Sequence, residues 1–466
     1  MGLYQVTTKK GKLEGIDKGD YAVFKGIPYA KSPTGDLRFR PPQETEAWEG
    51  VRKAQEFSPK CTQRAKSSSF YEKEFYSEPQ YQVPMSEDCL YLNIWTPAPS
   101  SIAPPLYPVA VWIHGGAFSS GYSSAISFDG EAYCKRGVLL VTINYRLGMW
   151  GFLTLPELAE ENGDGTCGNV GLLDQIAAIR WVRENIAAFG GDPENITVFG
   201  QSAGSMSISV LSCAEETKGL YQHAILQSGG GYEAGFLSHC LSWQEAAAKN
   251  EAYFRQFYPD GSLLEQLRSL PAEKLQHQQE ETMQRVMEKA GGKGWPEMPF
   301  VFSVVKDGRL LKGGLDESIA AGRLHPIDYI IGSNSHDMGC DPARIPDTET
   351  VMYQSIIKWS KLCYSLRTGH CYNYFFARKP LGDEAGAFHS CELWYMFGTL
   401  DRSWRPKEEA DYRVSEEMLC CWTNFMKTGN PSGRMANGAI TSLSEDSKEI
   451  EWPEFTKEHP YVHTFL

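Results

Sequence analysis

No stretch of this sequence stays apolar for the ~20 residues that crossing a bilayer takes, so a membrane-spanning role is not expected. Positive charge is also in short supply. Lysine and arginine number 45 against 58 aspartates and glutamates, a formal net charge of −13. A nucleic-acid surface needs the opposite balance, so such a partner is not expected either. The first 15 residues hold no apolar run of the kind that opens a secreted chain, and no two cysteines stand in C-x-x-C spacing. The expectation is a cytoplasmic protein whose twelve cysteines are mostly thiols. Cys420 and Cys421 then read as core residues of an apolar helical run and not as metal ligands.

What is present is an ordinary globular composition, 42% hydrophobic and 22% charged, over 466 residues, with no internal repeat. Short strand-like runs at Leu3 to Thr8, Lys12 to Gly15 and Tyr21 to Gly26 alternate with glycine turns and suggest an antiparallel edge. Tyr91 to Trp95 reads as a further strand. Apolar runs at Val109 to Ile113, Val138 to Ile143, Ile196 to Phe199, Ala224 to Leu226, Tyr329 to Ile331 and Tyr372 to Phe376 read as buried parallel strands. Leu172 to Phe189 has helical spacing of its apolar residues. Alternation of this kind implies an α/β fold with a mainly parallel sheet and helices on both faces. Two segments break the pattern. Residues 61 to 88 are polar and aromatic-rich, either a lid or a plain surface excursion. From about 232 to 293 the chain turns helical and charged, as an insertion over the sheet and not an independent domain.

The chemistry centres on Gly200-Gln201-Ser202-Ala203-Gly204, a G-x-S-x-G directly after a strand. Two glycines allow a sharp turn from strand to helix that pushes the serine out at the top of the sheet. A serine nucleophile needs a base, an acid that orients the base, and donors for the oxyanion. His114-Gly115-Gly116-Ala117 follows another strand, and the N–H of Ala203 is a third kind of donor. After Ile331, Asp337 is the best acid, with Asp341 and Asp328 as weaker alternatives. Of ten histidines, His389 lies just past the last candidate strand, with His336 and His370 as rivals. The order Ser202, Asp337, His389 is that of α/β-hydrolases.

Several long motifs, in order, resemble the type-B carboxylesterase family, the para-nitrobenzyl esterase and cholinesterase-like α/β-hydrolases. They are Phe24 to Ala30 with Arg38-Phe39, Ser86 to Asn93, Gly168-Asn169, Asp174-Gln175, Phe189 to Gly204, and Trp422 to Pro431. The resemblance spans nearly the whole chain. It implies one domain over 1–466 with the α/β-hydrolase fold, a lid-like segment at 61–88 and the helical insertion over the site. It implies Ser202 as nucleophile, Asp337 as acid and His389 as base, with Gly116, Ala117 and Ala203 as the oxyanion hole and Gly115 supporting the turn. Arg38 and Glu87 fall at the positions of a structural ion pair, and Asn334 and Ser228 at positions beside the triad. Cys61 and Cys89 match a lid disulfide of the family, which a reducing compartment leaves as thiols.

Three positions depart from the family pattern. Asp337 stands where most members have glutamate, Met338 where glycine follows the acid, and Ala117 where glycine is usual in the oxyanion turn. The lid segment has no tryptophan, which disfavours a choline ester. The function implied is hydrolysis of a small-molecule carboxylic ester through an acyl-enzyme, with no metal or organic cofactor, in a monomer or weak dimer. Two other readings keep the fold: a non-catalytic binding protein, or an amidase, lactonase or acyltransferase with the same triad. Tyr232 and Phe236, just after a Gly-Gly turn, are candidates for substrate binding in an acyl pocket, with core packing as the competing reading.

Overall fold

The structure, a computed structural model, describes residues 3–63, 69–98, 106–163, 165–233, 237–289, 302–344, 347–434 and 449–466. One sheet organises them. Its strands are β1 (Leu3–Thr8), β2 (Gly11–Asp17), β3 (Tyr21–Pro28), β4 (Val51–Lys53), β5 (Tyr91–Pro97), β6 (Tyr107–Ile113), β7 (Leu139–Ile143), β8 (Gly191–Gln201), β9 (His223–Gln227), β10 (Asp328–Asn334), β11 (Cys371–Phe376) and β12 (Val462–Phe465). Their order is β1-β2-β3-β5-β7-β6-β8-β9-β10-β11-β12, with β4 beside β2. The edge from β1 to β7 is antiparallel apart from β4, which runs parallel to β2; from β7 onward every neighbour is parallel.

The parallel strands are apolar on both sides because both faces are covered. Along β6, Val109, Val111 and Ile113 enter one core while Ala110 and Trp112 enter the other, the two-residue alternation that a pleated strand imposes. Helices α1 (Val170–Asn185), α2 (Ala203–Leu211) and α6 (Val351–Leu366) pack on the first face, and α7 (Glu409–Thr428) on the second. Cys420 and Cys421 are buried in α7, as core. The helical run expected from Leu172 is α1, continued by one 3-10 turn at Ile186–Phe189. Three helices cover the insertion, α3 (Trp243–Phe254), α4 (Leu263–Ser269) and α5 (Ala272–Lys289); its positions 234–236 and 290–293 lie outside the described residues. No helix among the described residues is long and apolar enough to cross a membrane.

Two buried ion pairs tie loops to this frame. Arg146 Nη2 donates to Asp174 Oδ1 at 2.6 Å and its Nε to Oδ2 at 2.8 Å, both side chains within the core. Arg38 Nη2 donates to Glu87 Oε2 at 2.6 Å, and Nη1 donates to the carbonyls of Leu267, Arg268 and Leu270, which binds the N-terminal region to the end of α4. Cys61 and Cys89 are buried free thiols whose sulfurs lie against one another.

Candidate active site

The parallel strands point their C-terminal ends to one rim, and the site stands there. Strand β8 runs into α2 through Ser202, whose φ of 56° and ψ of −123° are a conformation L-residues rarely take. Such a residue costs on the order of 1–3 kcal/mol and persists only where its surroundings enforce it. The enforcement is visible. Ser202 N donates to Gln227 O at 2.8 Å. A Cβ at Gly204 would lie 2.0 Å from Ile113 O, and one at Gly229 2.3 Å from Ser202 O. At Gly204 and Gly229 the bend is therefore packed backbone to backbone, with no room for a side chain.

His389 Nδ1 lies 2.5 Å from Asp337 Oδ1. An acceptor-only carboxylate at that distance fixes the proton on Nδ1 and leaves Nε2 as the basic nitrogen. Nε2 lies 3.2 Å from Gln201 Nε2, beside the serine, and His389 and Ser202 line the same cavity. The loops that carry acid and base are joined by a β-bridge between His336 and Phe388, one residue before each. This junction brings the short aspartate within reach of the imidazole. Asn334 N and Met338 N donate to the two oxygens of Asp337 at 2.9 Å each. Burial pushes the Asp337 pKa up, but the imidazole, the Asn334 N–H and the Ser228 hydroxyl outweigh it and hold the carboxyl below its usual range. For His389 burial favours the neutral ring, and the Asp337 carboxylate outweighs that and raises the pKa above the usual value.

The rival residues are elsewhere engaged. His336 Nδ1 pairs with Ser335 Oγ at 2.9 Å, and His370 pairs with Glu454 at the opposite end of the sheet. Asp341 accepts from the N–H of Ala343, and Asp328 accepts from the N–H of His370.

A second carboxylate, not anticipated as part of the site, lies behind the histidine. Glu392 is fully buried and accepts from Asn334 Nδ2 at 2.5 Å; the same amide donates to Phe388 O at 2.8 Å. Burial and the nearby Asp337 charge push its pKa up to about 7. The three-residue step from His389 to Glu392, in a stretch that becomes helical at Leu393, is the signal that was open to a reader of the sequence.

The other half of the site is the turn after β6. Gly116 has a φ of 111° and a Cβ there would lie 2.1 Å from Ser120 O, so only glycine fits. Ala117 and Phe118 follow in the left-handed region at 53° and 57°. Left-handed backbone of this kind turns successive N–H groups toward one side, a concavity suited to an anion. Ala203 is the first residue of α2, where the helix dipole adds to the same effect. His114 stays neutral: burial pushes its pKa down to about 4, while its ring stacks on Tyr145 at 4.5 Å.

Ser202, His389, His114, Gly116, Ala117 and Ala203 line a cavity of about 260 Å³. Its wall comes from Tyr71, Phe75 and Tyr76 of the lid segment and from Tyr122, Phe128 and Leu393, and among the described residues no aspartate, glutamate, lysine or arginine lines it. The wall residues of the 115–128 loop had no sequence pattern to mark them. Tyr232 is not among the lining residues: its N–H donates to Ser355 O at 3.1 Å and its ring packs on the core, so the competing reading fits it. Phe236 lies outside the described residues.

Comparison with known proteins gives concordant matches. The family model described as "Carboxylesterase family" matches residues 3–368 and 348–465. A para-nitrobenzyl esterase of Bacillus subtilis (strain 168) is 34% identical, with 93% of this chain and 91% of the relative covered. Liver carboxylesterase 1F of Rattus norvegicus is 36% identical over 98% of this chain and 89% of its own length. Among solved structures, a thermophilic PNB esterase superposes with a TM-score of 0.82 at 30% identity, covering 99% of this chain and 95% of that one.

Proposed function

The chain belongs to the carboxylesterase family, and from that premise we propose that Ser202, His389 and Asp337 are the catalytic triad of a carboxylic ester hydrolase. The reading is carried by one observation: the 2.5 Å contact of His389 Nδ1 with Asp337 Oδ1, at a cavity shared with a serine held on a strained bend. Ser202 Oγ attacks the ester carbonyl and its proton passes to His389 Nε2. Asp337 keeps the tautomer and stabilises the imidazolium. The N–H groups of Gly116, Ala117 and Ala203 take the oxyanion. His389 then gives the proton to the leaving alcohol, and water repeats the sequence on the acyl-enzyme. The apolar and aromatic lining among the described residues suits an uncharged ester.

We read the whole chain as one domain, since its twelve-stranded sheet takes strands from both ends of the sequence, with 61–88 as lid and 232–293 as inserted helices. We read its place as cytoplasmic, a compartment that keeps cysteines as thiols. The test of the triad is Ser202→Ala with a panel of p-nitrophenyl esters. Turnover falls by at least about 10⁴ while the thermal melt is kept; near-normal hydrolysis by that variant contradicts the assignment.

A further inference from the structure

The lid turns Ser69–Tyr71 and Glu72–Tyr76 pair with no strand of the main sheet, yet they give the cavity three of its aromatic side chains. A buried charge helps to hold them. Glu74 is 3% exposed, and its carboxylate accepts from Arg405 Nη2 at 2.7 Å, Arg405 Nε at 3.1 Å and Trp404 Nε1 at 3.0 Å. Arg405, equally buried, spends its remaining donors on Asp383 Oδ1 at 2.8 Å, Asp383 Oδ2 at 2.9 Å and Leu381 O at 3.1 Å. Its guanidinium covers the ring of Phe388 at 5.0 Å.

Phe388 precedes the proposed base, and the lid reaches that loop twice more. Phe70 meets Phe388 edge to face at 5.0 Å, and Tyr71 OH donates to His389 O at 3.2 Å. One guanidinium thus joins the lid, the 381–383 turn and the histidine loop. A buried ion pair gains little stability over apolar side chains of the same size, because both charges lose their hydration. What it adds is direction: a planar donor fork accepts its carboxylate in one geometry.

We propose that Glu74 is a positioning residue which, through Arg405, sets the lid's aromatic wall against the histidine loop and so selects esters of bulky aromatic alcohols over esters of small ones. The inference rests on the ester-hydrolase reading above. The imidazole must reach the leaving oxygen, so the alcohol lies on its side of Ser202, where Tyr71 and Leu393 stand with Phe75 behind them. Phe75 stacks on Trp394 at 5.3 Å, so a shift of Glu74 carries its neighbour out of that stack.

The test uses two esters with one acyl group, p-nitrobenzyl butyrate and ethyl butyrate, which form the same acyl-enzyme. In Glu74→Gln, KM for the benzyl ester rises about tenfold, while kcat and the ethyl ester's kcat/KM stay within about twofold. Glu74→Asp restores part of the difference. Because Glu74→Gln strands a buried guanidinium, the double variant Glu74→Leu with Arg405→Met serves as the folded control; it keeps the melting temperature and loses the same selectivity. Equal losses on both esters, an unchanged ratio in the double variant, or unfolding of both variants overturns the proposal. Wild-type turnover tests the underlying reading separately, and the ratio of the two esters tests Glu74.

Discussion

The bend at Ser202 and the wall that faces it are built in opposite ways. The bend is backbone packed on backbone: a Cβ at Gly204 would lie 2.0 Å from Ile113 O, and Gly116 admits no side chain. The wall is side chain packed on side chain, with Phe75 stacked on Trp394 and Phe70 set edge-on to Phe388. The first is a geometry with one solution, and it is assigned the bond-making step. The second is a surface that can change residue by residue, and it is assigned the choice of ester. Substitutions at the bend and its acid–base partners are therefore expected to hurt all esters alike, and substitutions in the wall to hurt them unequally.

The largest effect belongs to the acid. Asp337→Asn keeps the shape but offers His389 Nδ1 an amide, which favours the wrong tautomer, so kcat falls by about 10⁴ for every ester. A loss confined to bulky esters breaks the comparison. Next is Gly116→Ala, which forces a methyl against Ser120 O in a left-handed turn. Displacing one oxyanion donor costs about 10² to 10³ in kcat, again regardless of ester. A steady-state assay on a large and a small ester checks both variants.

Glu392→Gln sharpens the picture from behind the histidine. The charges of Asp337 and Glu392 both raise the His389 pKa. The base works only when neutral, so kcat/KM declines as pH falls through that raised value. Glu392 is itself largely protonated below about pH 7, so removing its charge acts at and above that pH, where a pH profile reads the acid limb displaced downward as a gain in relative activity; an acid limb that stays in place contradicts it. The smallest effect is in the wall. Phe75→Leu lowers kcat/KM for p-nitrobenzyl butyrate by about fivefold through lost aromatic stacking and leaves ethyl butyrate unchanged.

The same contrast explains what the sequence could tell. Residues that obey a hard local rule announce themselves. The glycines around Ser202 and the apolar runs of β6 through β11 are constrained by close approach and by burial on both faces, and their expected positions match the strands observed. Strand β12 was missed because Val462–Phe465 is four residues long and pairs with one neighbour only. The acid could be chosen from order along the chain, but its contact with His389 depends on the His336–Phe388 bridge, a long-range pairing that no local pattern encodes. Glu392 escaped for a related reason: a buried carboxylate looks like any surface glutamate until its neighbours are known. Tyr232 was proposed from proximity in sequence to a Gly-Gly turn, and proximity along the chain says nothing about which way a ring points. The wall is drawn from 71–76, 120–128 and 393, three segments whose convergence is a property of the whole fold.

The most direct measurement is an acid quench during turnover of p-nitrophenyl butyrate, followed by mass spectrometry of the peptide that carries Ser202. The account predicts one butyryl group on Ser202, formed in step with the burst of p-nitrophenol. A butyryl group on a different residue, or steady turnover with Ser202 unmodified and no burst, contradicts it.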